Sequence, residues 1–173
     1  MNKRHFLTLK DRGRVLGYYN YLITTMADIN LNDLRKSPQT LQAIHDVHLN
    51  HYIHRDIRPD NFLIGFPPKS NIVYMIGFSL LEIKLYRTPR KLTKWQGSNC
   101  KFQSRSYHLH SNIARIDDVE SWFYMCIDFF GQTLLPWNDI TSESEIFLCK
   151  QRLFCDGCEE IYNVIPQNFR AIF

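Results

Sequence analysis

The 173-residue chain lacks the features of a membrane or secreted protein. It has no apolar stretch long enough to span a bilayer, and its basic first five residues lead into Thr8, Lys10 and Asp11 rather than an apolar signal core. It has five cysteines, an odd number that does not make a closed set of disulfides. We therefore expect reduced thiols and a location in the cytoplasm, with the nucleus as the alternative.

Repeats, heptads and low-complexity segments are also missing, which excludes solenoids, coiled coils and disordered tails. What is present is ordinary for a globular domain: 45% apolar, 22% charged and 14% aromatic residues. The net charge of +4 is mildly basic. Such a charge suits acidic or phosphorylated protein partners, and we expect a monomer that binds neither nucleic acid nor a membrane.

Periodicity predicts a mixed chain dominated by helices. Strands are predicted over residues 18–26, 61–65 and 71–78, the last two forming a hairpin-like pair around Pro67 and Pro68. Helices are predicted over residues 31–36, 40–48, 117–130, 142–154 and 159–173. Residues 81–106 show no clean period and carry six cations between Lys84 and Lys101, so we expect a basic loop there.

One short motif carries the chemistry. Residues 54–61 read HRDIRPDN, and sixteen positions after Asn61 come Gly77, Phe78 and Ser79. The first string resembles the catalytic loop of a protein kinase, and the second stands where that family has Asp-Phe-Gly. By this resemblance Asp56 would accept the substrate hydroxyl proton, Arg58 would pair with phosphate, and Asn61 would hold a metal ion. His54 and Arg55 would support the loop.

Further segments resemble the casein kinase 1 family, and its tau-tubulin kinase-like members most. They are residues 11–14 (DRGR), 31–36 (LNDLRK), 61–65 (NFLIG), 117–125 (DDVESWFYM) and 134–137 (LLPW). The resemblance implies that Thr25 and Met26 lie in a hinge facing adenine and that Leu63 forms the floor of the nucleotide pocket. It implies that Asp118 accepts backbone N–H groups of the catalytic loop; N-terminal helix capping is the alternative role, and the two are compatible.

The implied fold is α+β and mainly helical: a single partial kinase domain over residues 1–173, made of the hinge and the C-terminal lobe. Remnants of the inter-lobe strands are expected, with the N-terminal lobe largely absent. No Gly-rich loop precedes Tyr18, and neither Lys3 nor Lys10 lies in a strand that would position ATP. The stretches 36–54 and 102–117 are shorter than in the family, the second being the one that docks substrate peptide.

The implied function is a serine/threonine protein kinase that uses ATP and Mg²⁺. Gly77 removes the metal-binding carboxylate, so we expect impaired catalysis and doubtful binding of both cofactors. Three alternatives stay open: a non-catalytic module that binds an acidic or phosphorylated protein, an active enzyme whose full-length product carries the absent segments, and a fragment that does not fold stably.

Other cysteine and histidine patterns give weaker signals. Cys155 and Cys158 have the spacing of a metal knuckle near Cys149, but a fourth ligand is missing, and ordinary thiols are the favoured interpretation. His108 and His110 are expected to be exposed loop imidazoles. His45, His48 and His51 are expected to make packing or solvent contacts.

Overall fold

The computed structural model describes residues 4–15, 19–28, 38–80, 82–83, 100–131, 133–155, 161 and 163. Within them, seven strands and four α-helices follow one another along the chain. The strands are β1 (Leu9–Val15), β2 (Tyr19–Thr24), β3 (Ala27–Asp28), β4 (Tyr52–Ile53), β5 (Phe62–Gly65), β6 (Val73–Met75) and β7 (Glu82–Ile83). The helices are α1 (Gln39–Leu49), α2 (Arg105–His108), α3 (Arg115–Phe130) and α4 (Glu143–Cys155).

The described strands form three small antiparallel sheets. β1 pairs with β2, β4 pairs with β7, and β3, β5 and β6 form a three-stranded sheet in the order β3-β5-β6. The β5–β6 pair is the predicted hairpin, with Leu63 opposite Tyr74. This sheet matters for the site, because β5 begins directly after the catalytic-loop motif and β6 ends directly before Ile76 and Gly77.

The helical core lies around α3. The side chains from Ser121 to Ile127 are all buried, and α1 contributes Ala43, Ile44 and Val47 to the same cluster. The Tyr124 ring meets the Trp137 ring edge to face, with 5.0 Å between centroids. Burial of aromatic and branched side chains on this scale is what holds a domain of this size together.

Most of the predicted elements are confirmed. The helices predicted over 40–48, 117–130 and 142–154, and the strand over 18–26, match α1, α3, α4 and β2 within the described residues. The mixed α and β character is also confirmed, whereas the assignment to one kinase lobe stays a prediction. None of the described helices is long and apolar enough to cross a membrane. The predicted helices over 31–36 and 159–173, and nearly all of the basic loop, lie outside the described residues.

Several features were not predicted. Strand β7 and the start of helix α2 lie within residues 81–106, where a loop was expected. β1 precedes β2 and pairs with it from Leu9 to Val15. His5, near the N-terminus, is buried, and its Nδ1 lies 2.7 Å from the Val73 carbonyl oxygen, while the Met75 N–H donates to the His5 carbonyl at 2.9 Å. Residues 5–6 therefore pack along β6.

Candidate active site: a kinase-type catalytic loop

The catalytic loop, residues 54–61, connects β4 to β5. Helix α1 leads into it through Asn50 and His51, and a short 3₁₀ turn from Pro59 to Asn61 ends it. His54 is fully buried, whereas the Asp56 side chain is about a quarter exposed at 24%. The loop is therefore anchored inside the domain at its start and opens to solvent at Asp56.

Asp118 ties this loop to helix α3. Its Oδ2 accepts the backbone N–H of His54 and its Oδ1 accepts that of Arg55, both at 2.8 Å. His48 Nε2 from α1 lies 2.8 Å from the same Oδ2. Arg55 has a φ of 71°, in the left-handed region that non-glycine residues rarely adopt. The buried carboxylate thus holds two helices and a strained loop residue together, in the arrangement that the resemblance implied.

The neighbouring residue Asp117 caps helix α3. Asp117 Oδ2 accepts the backbone N–H of Ala114 at 2.6 Å, in the first turn of α3. Both acidic residues also lie at the positive end of the helix dipole. The two adjacent aspartates therefore have separate hydrogen bonds: Asp117 closes the helix end, and Asp118 holds the loop.

His54 connects the loop to the segment before Gly77. Its Nε2 lies 2.8 Å from the Ile76 carbonyl oxygen, and its ring packs edge-on against Phe78. Burial lowers the pKa of His54, so the ring is neutral at pH 7. A neutral ring fits its neighbours: Nε2–H donates to the Ile76 carbonyl, and Nδ1 accepts the Asp56 backbone N–H at 3.3 Å.

Asn61, Asp56 and Gly77, which the resemblance assigns to a kinase metal site, lie close together. The Asn61 side-chain amide donates to the Asp56 carbonyl at 2.7 Å and to Asp56 Oδ2 at 2.9 Å. Gly77 has a φ of 82°, and a Cβ built on it would come within 2.5 Å of Asn61 Cγ. The Asn61 side chain therefore occupies the space beside Gly77 into which an aspartate side chain would have to fit.

These residues do not fit the Mg²⁺ site of the kinase family. Magnesium requires hard oxygen ligands and a carboxylate to hold it against phosphate. Gly77 supplies no side chain, and the Asp56 carboxylate already accepts the Asn61 amide. Asn61 Oδ1 alone, predicted as the metal ligand, is a weak substitute.

Arg58 provides the cation of the site. Its Nε lies 3.4 Å from Asp56 Oδ1 without hydrogen-bond geometry, and its Nη1 lies 3.9 Å from Asp60 Oδ2. The side chain is 36% exposed, so it can turn toward an anion. A carboxylate beside an exposed guanidinium can accept a proton from a hydroxyl while the guanidinium pairs with phosphate.

The predicted nucleotide contacts lie on the three-stranded sheet and the segment leading to it. Thr25 and Met26 link β2 to β3, and Ala27 of β3 pairs with Gly65 of β5. The Thr25 N–H donates to the Thr8 carbonyl at 2.9 Å, and Met26 is 74% exposed. Leu63 lies half-buried in β5. The predicted hinge segment therefore leads into the strand that pairs with the one carrying the predicted pocket floor.

Two histidines have surroundings that the sequence pattern did not indicate. His48 was expected to pack or contact solvent, and it packs against Asp118 as part of the loop support. The expectation for His108 was wrong, since its side chain is only 2% exposed. It lies against Lys150, a buried lysine of α4 whose partners are distant in sequence, so no local pattern indicated this contact.

Comparison with known proteins identifies relatives but no family model, since none matches the chain. The Caenorhabditis elegans protein named "Putative serine/threonine-protein kinase ZK507.1" is 33% identical over 172 aligned positions, covering 88% of this chain and 51% of that protein. "Casein kinase I homolog 3" of Schizosaccharomyces pombe is 33% identical over 147 positions, covering 72% of this chain and 33% of that protein.

The chain spans about half the length of the first relative and a third of the second. Both alignments extend over most of the present chain, and both relatives are named as kinases. Together with a catalytic loop held by Asp118 and His54, they lead to one assignment: this chain belongs to the protein kinase family.

Proposed function

We propose that the chain is a serine/threonine protein kinase domain of the casein kinase 1 group in which phosphate transfer is impaired. The observation that carries the impairment is Gly77, which puts no carboxylate beside Asn61 where the family's magnesium ligand would stand. The assignment to the casein kinase 1 group rests on the segments around residues 61–65, 117–125 and 134–137 and on a relative of that name. Within that group, we propose that the chain is most similar to the tau-tubulin kinase-like members.

The expected loss follows from what the metal does. A bound metal ion stabilises the charge of a transferring phosphoryl group by several kcal/mol, so its loss corresponds to about a thousandfold in rate or more. The other predicted site residues support nucleotide binding and weak catalysis. Asp56 would be the solvent-facing proton acceptor, with Arg58 beside it. Thr25, Met26 and Leu63 would contact adenine. We therefore expect that the chain binds ATP and that Mg²⁺ adds little to this affinity.

The first experiment measures phosphate transfer from radioactive ATP to casein, an acidic protein substrate. We expect the wild-type chain to be indistinguishable from Asp56→Ala, which removes the proton acceptor. A wild-type signal that Asp56→Ala abolishes would overturn the impairment.

A second experiment tests whether Gly77 is the cause. The melting temperature is measured with ATP, with ATP and Mg²⁺, and with EDTA, for the wild type and for Gly77→Asp. We expect a magnesium-dependent rise in Gly77→Asp only, after the Asn61 amide moves away from residue 77. Aspartate tolerates a positive φ better than most residues, so the variant should fold. A magnesium-dependent rise in the wild type would contradict the proposal.

A non-catalytic interaction module is the second candidate. It is favoured by a buried core and an intact Asp118 network around a site that has lost its metal ligand, since those contacts do not require chemistry. The partner would be an acidic or phosphorylated protein, held by the basic segment from Lys84 to Lys101, in the cytoplasm or nucleus. Lys91→Glu should weaken such a complex, and the complex should weaken further as salt is raised.

A further inference from the structure

Three side chains from separate elements converge near the start of helix α4. Cys100 precedes α2, His108 ends α2, and Glu143 begins α4. One ligand atom from each, the Cys sulfur, a ring nitrogen and a carboxylate oxygen, all lie within 4.8 Å of one another. Thiolate, imidazole and carboxylate are the three ligand types that proteins use for zinc.

The histidine of this cluster is directed into it. The His108 side chain is buried, and its Nδ1 lies 3.4 Å from Glu143 Oε1 without making a hydrogen bond. A buried ring nitrogen with no hydrogen-bond partner is uncommon, because burial removes the water that would otherwise satisfy it. Here the nitrogen faces two further metal-binding groups.

The second ring nitrogen of His108, Nε2, contacts Lys150. Lys150 Nζ lies 3.1 Å from His108 Nε2 and donates to the Cys100 carbonyl at 2.6 Å and the Gln103 carbonyl at 2.7 Å. Lys150 therefore fixes both the imidazole and the backbone that carries the thiol. A metal-binding histidine donates the N–H of its second nitrogen to an acceptor, a role that Lys150 could take only as the neutral amine.

We propose that Cys100, His108 Nδ1 and Glu143 form a zinc site. Three protein ligands leave the fourth position of the tetrahedron to water. Binding would release the Cys100 thiol proton and the proton on His108 Nδ1, which leaves Nδ1 to bind the metal. Lys150 would pass one ammonium proton to His108 Nε2, and the resulting Nε2–H would donate to the Lys150 amine. Glu143 is about half exposed, which opens the site to solvent and lets this side chain close the remaining distance.

The site would fasten the segment from Cys100 to His108 onto helix α4. This segment overlaps the stretch that, by resemblance, docks substrate peptide. Zinc would thus stabilise the substrate-facing side of the domain by a contact that does not involve Asp56 or Asn61.

The test uses Co²⁺ as a spectroscopic probe on the purified full chain, followed by displacement with Zn²⁺. We expect one equivalent of Co²⁺ with a thiolate-to-cobalt absorption band, and a melting temperature that rises with added Zn²⁺. Cys100→Ser should abolish the band. Glu143→Gln should weaken affinity by at least about tenfold, since losing a ligand costs no less than losing a second-layer contact.

Two matched controls separate this site from other thiols. Cys155→Ser removes an exposed cysteine of α4 and should leave the band unchanged. His110→Gln removes an exposed histidine two residues from His108 and should also have no effect. The proposal is overturned if no band forms, if the band survives Cys100→Ser, or if Cys155→Ser removes it. Because Glu143 lies on the surface, Glu143→Gln should fold, and it tests the site even if a His108 variant does not fold. Unchanged cobalt affinity in Glu143→Gln would exclude this carboxylate as a ligand.

Discussion

Replacing Asp118 with asparagine tests whether one carboxylate holds the catalytic loop in place. The wild-type side chain accepts from three donors: the backbone N–H groups of His54 and Arg55, and His48 Nε2. Asparagine has nearly the same shape but only one oxygen. In either orientation its NH₂ group faces at least one N–H donor, so the substitution both removes hydrogen bonds and places two donors against each other.

The expected loss can be worked from these contacts. Hydrogen bonds to a charged group are worth about 1.5–3 kcal/mol each, and a buried donor left without an acceptor costs about 1–3 kcal/mol more. Asp118 is only 1% exposed, so solvent screening gives little relief. We therefore expect the free energy of unfolding to fall by roughly 3–5 kcal/mol, out of a total that is about 5–15 kcal/mol for ordinary domains.

The assay is urea unfolding followed by far-ultraviolet circular dichroism, with Asp117→Asn as the matched control. That control has the same chemistry at the adjacent position, where the asparagine oxygen can still accept the Ala114 N–H, so it should cost at most about 1 kcal/mol. If Asp118→Asn costs no more than Asp117→Asn, the carboxylate does not anchor the loop, and the argument about the strained Arg55 backbone fails with it.

Two further changes probe the core. Burial lowers the pKa of Lys150 from 10.5 to about 7. Between these two pH values the unfolded chain binds more protons than the folded chain. The free energy of unfolding should therefore rise with pH by up to ~1.4 kcal/mol per pH unit. Lys150→Met should flatten that rise in urea titrations between about pH 7 and 8. If the free energy of unfolding of the variant still rises with pH as steeply as in the wild type, another group is responsible for the rise. Ile44→Ala, at a fully buried position, should cost about 2–5 kcal/mol, whereas Ile116→Ala, at 68% exposure, should change stability by less than about 0.5 kcal/mol. Equal losses in this second pair would mean that α1 does not pack into the core.

The parts of the fold that could be predicted are those with local signals. The apolar stripe of α3, the hairpin of β5 and β6 and the HRDIRPDN motif each leave a pattern within a few residues of sequence. The motif also predicted a long-range contact, because the resemblance assigned Asp118 to the loop backbone across more than sixty residues. Sequence alone could not decide which of the adjacent aspartates caps the helix, since both are suited to that position.

The parts that could not be predicted depend on packing between distant segments. β1 is exposed at nearly every position, so it shows no alternation and is held by pairing with β2 rather than by burial. Lys150 lies in a helix whose pattern does not mark it as buried, and its acceptors come from residues 100 and 103, far away in sequence. The neighbouring burial of His108 follows from the same contacts.

The contacts that hold the loop of residues 54–61 do not involve a side chain at residue 77. Asp118, His48 and the Ile76 carbonyl hold the loop, and none of these groups needs a carboxylate at position 77. An aspartate there would place a second negative charge near Asp56 and push against Asn61, a cost that a bound cation offsets. With glycine, Asn61 turns its amide to Asp56 instead. Under the proposed function, glycine at residue 77 removes a requirement of phosphate transfer while leaving the interactions that fold the domain, so a loop of kinase type is compatible with impaired chemistry.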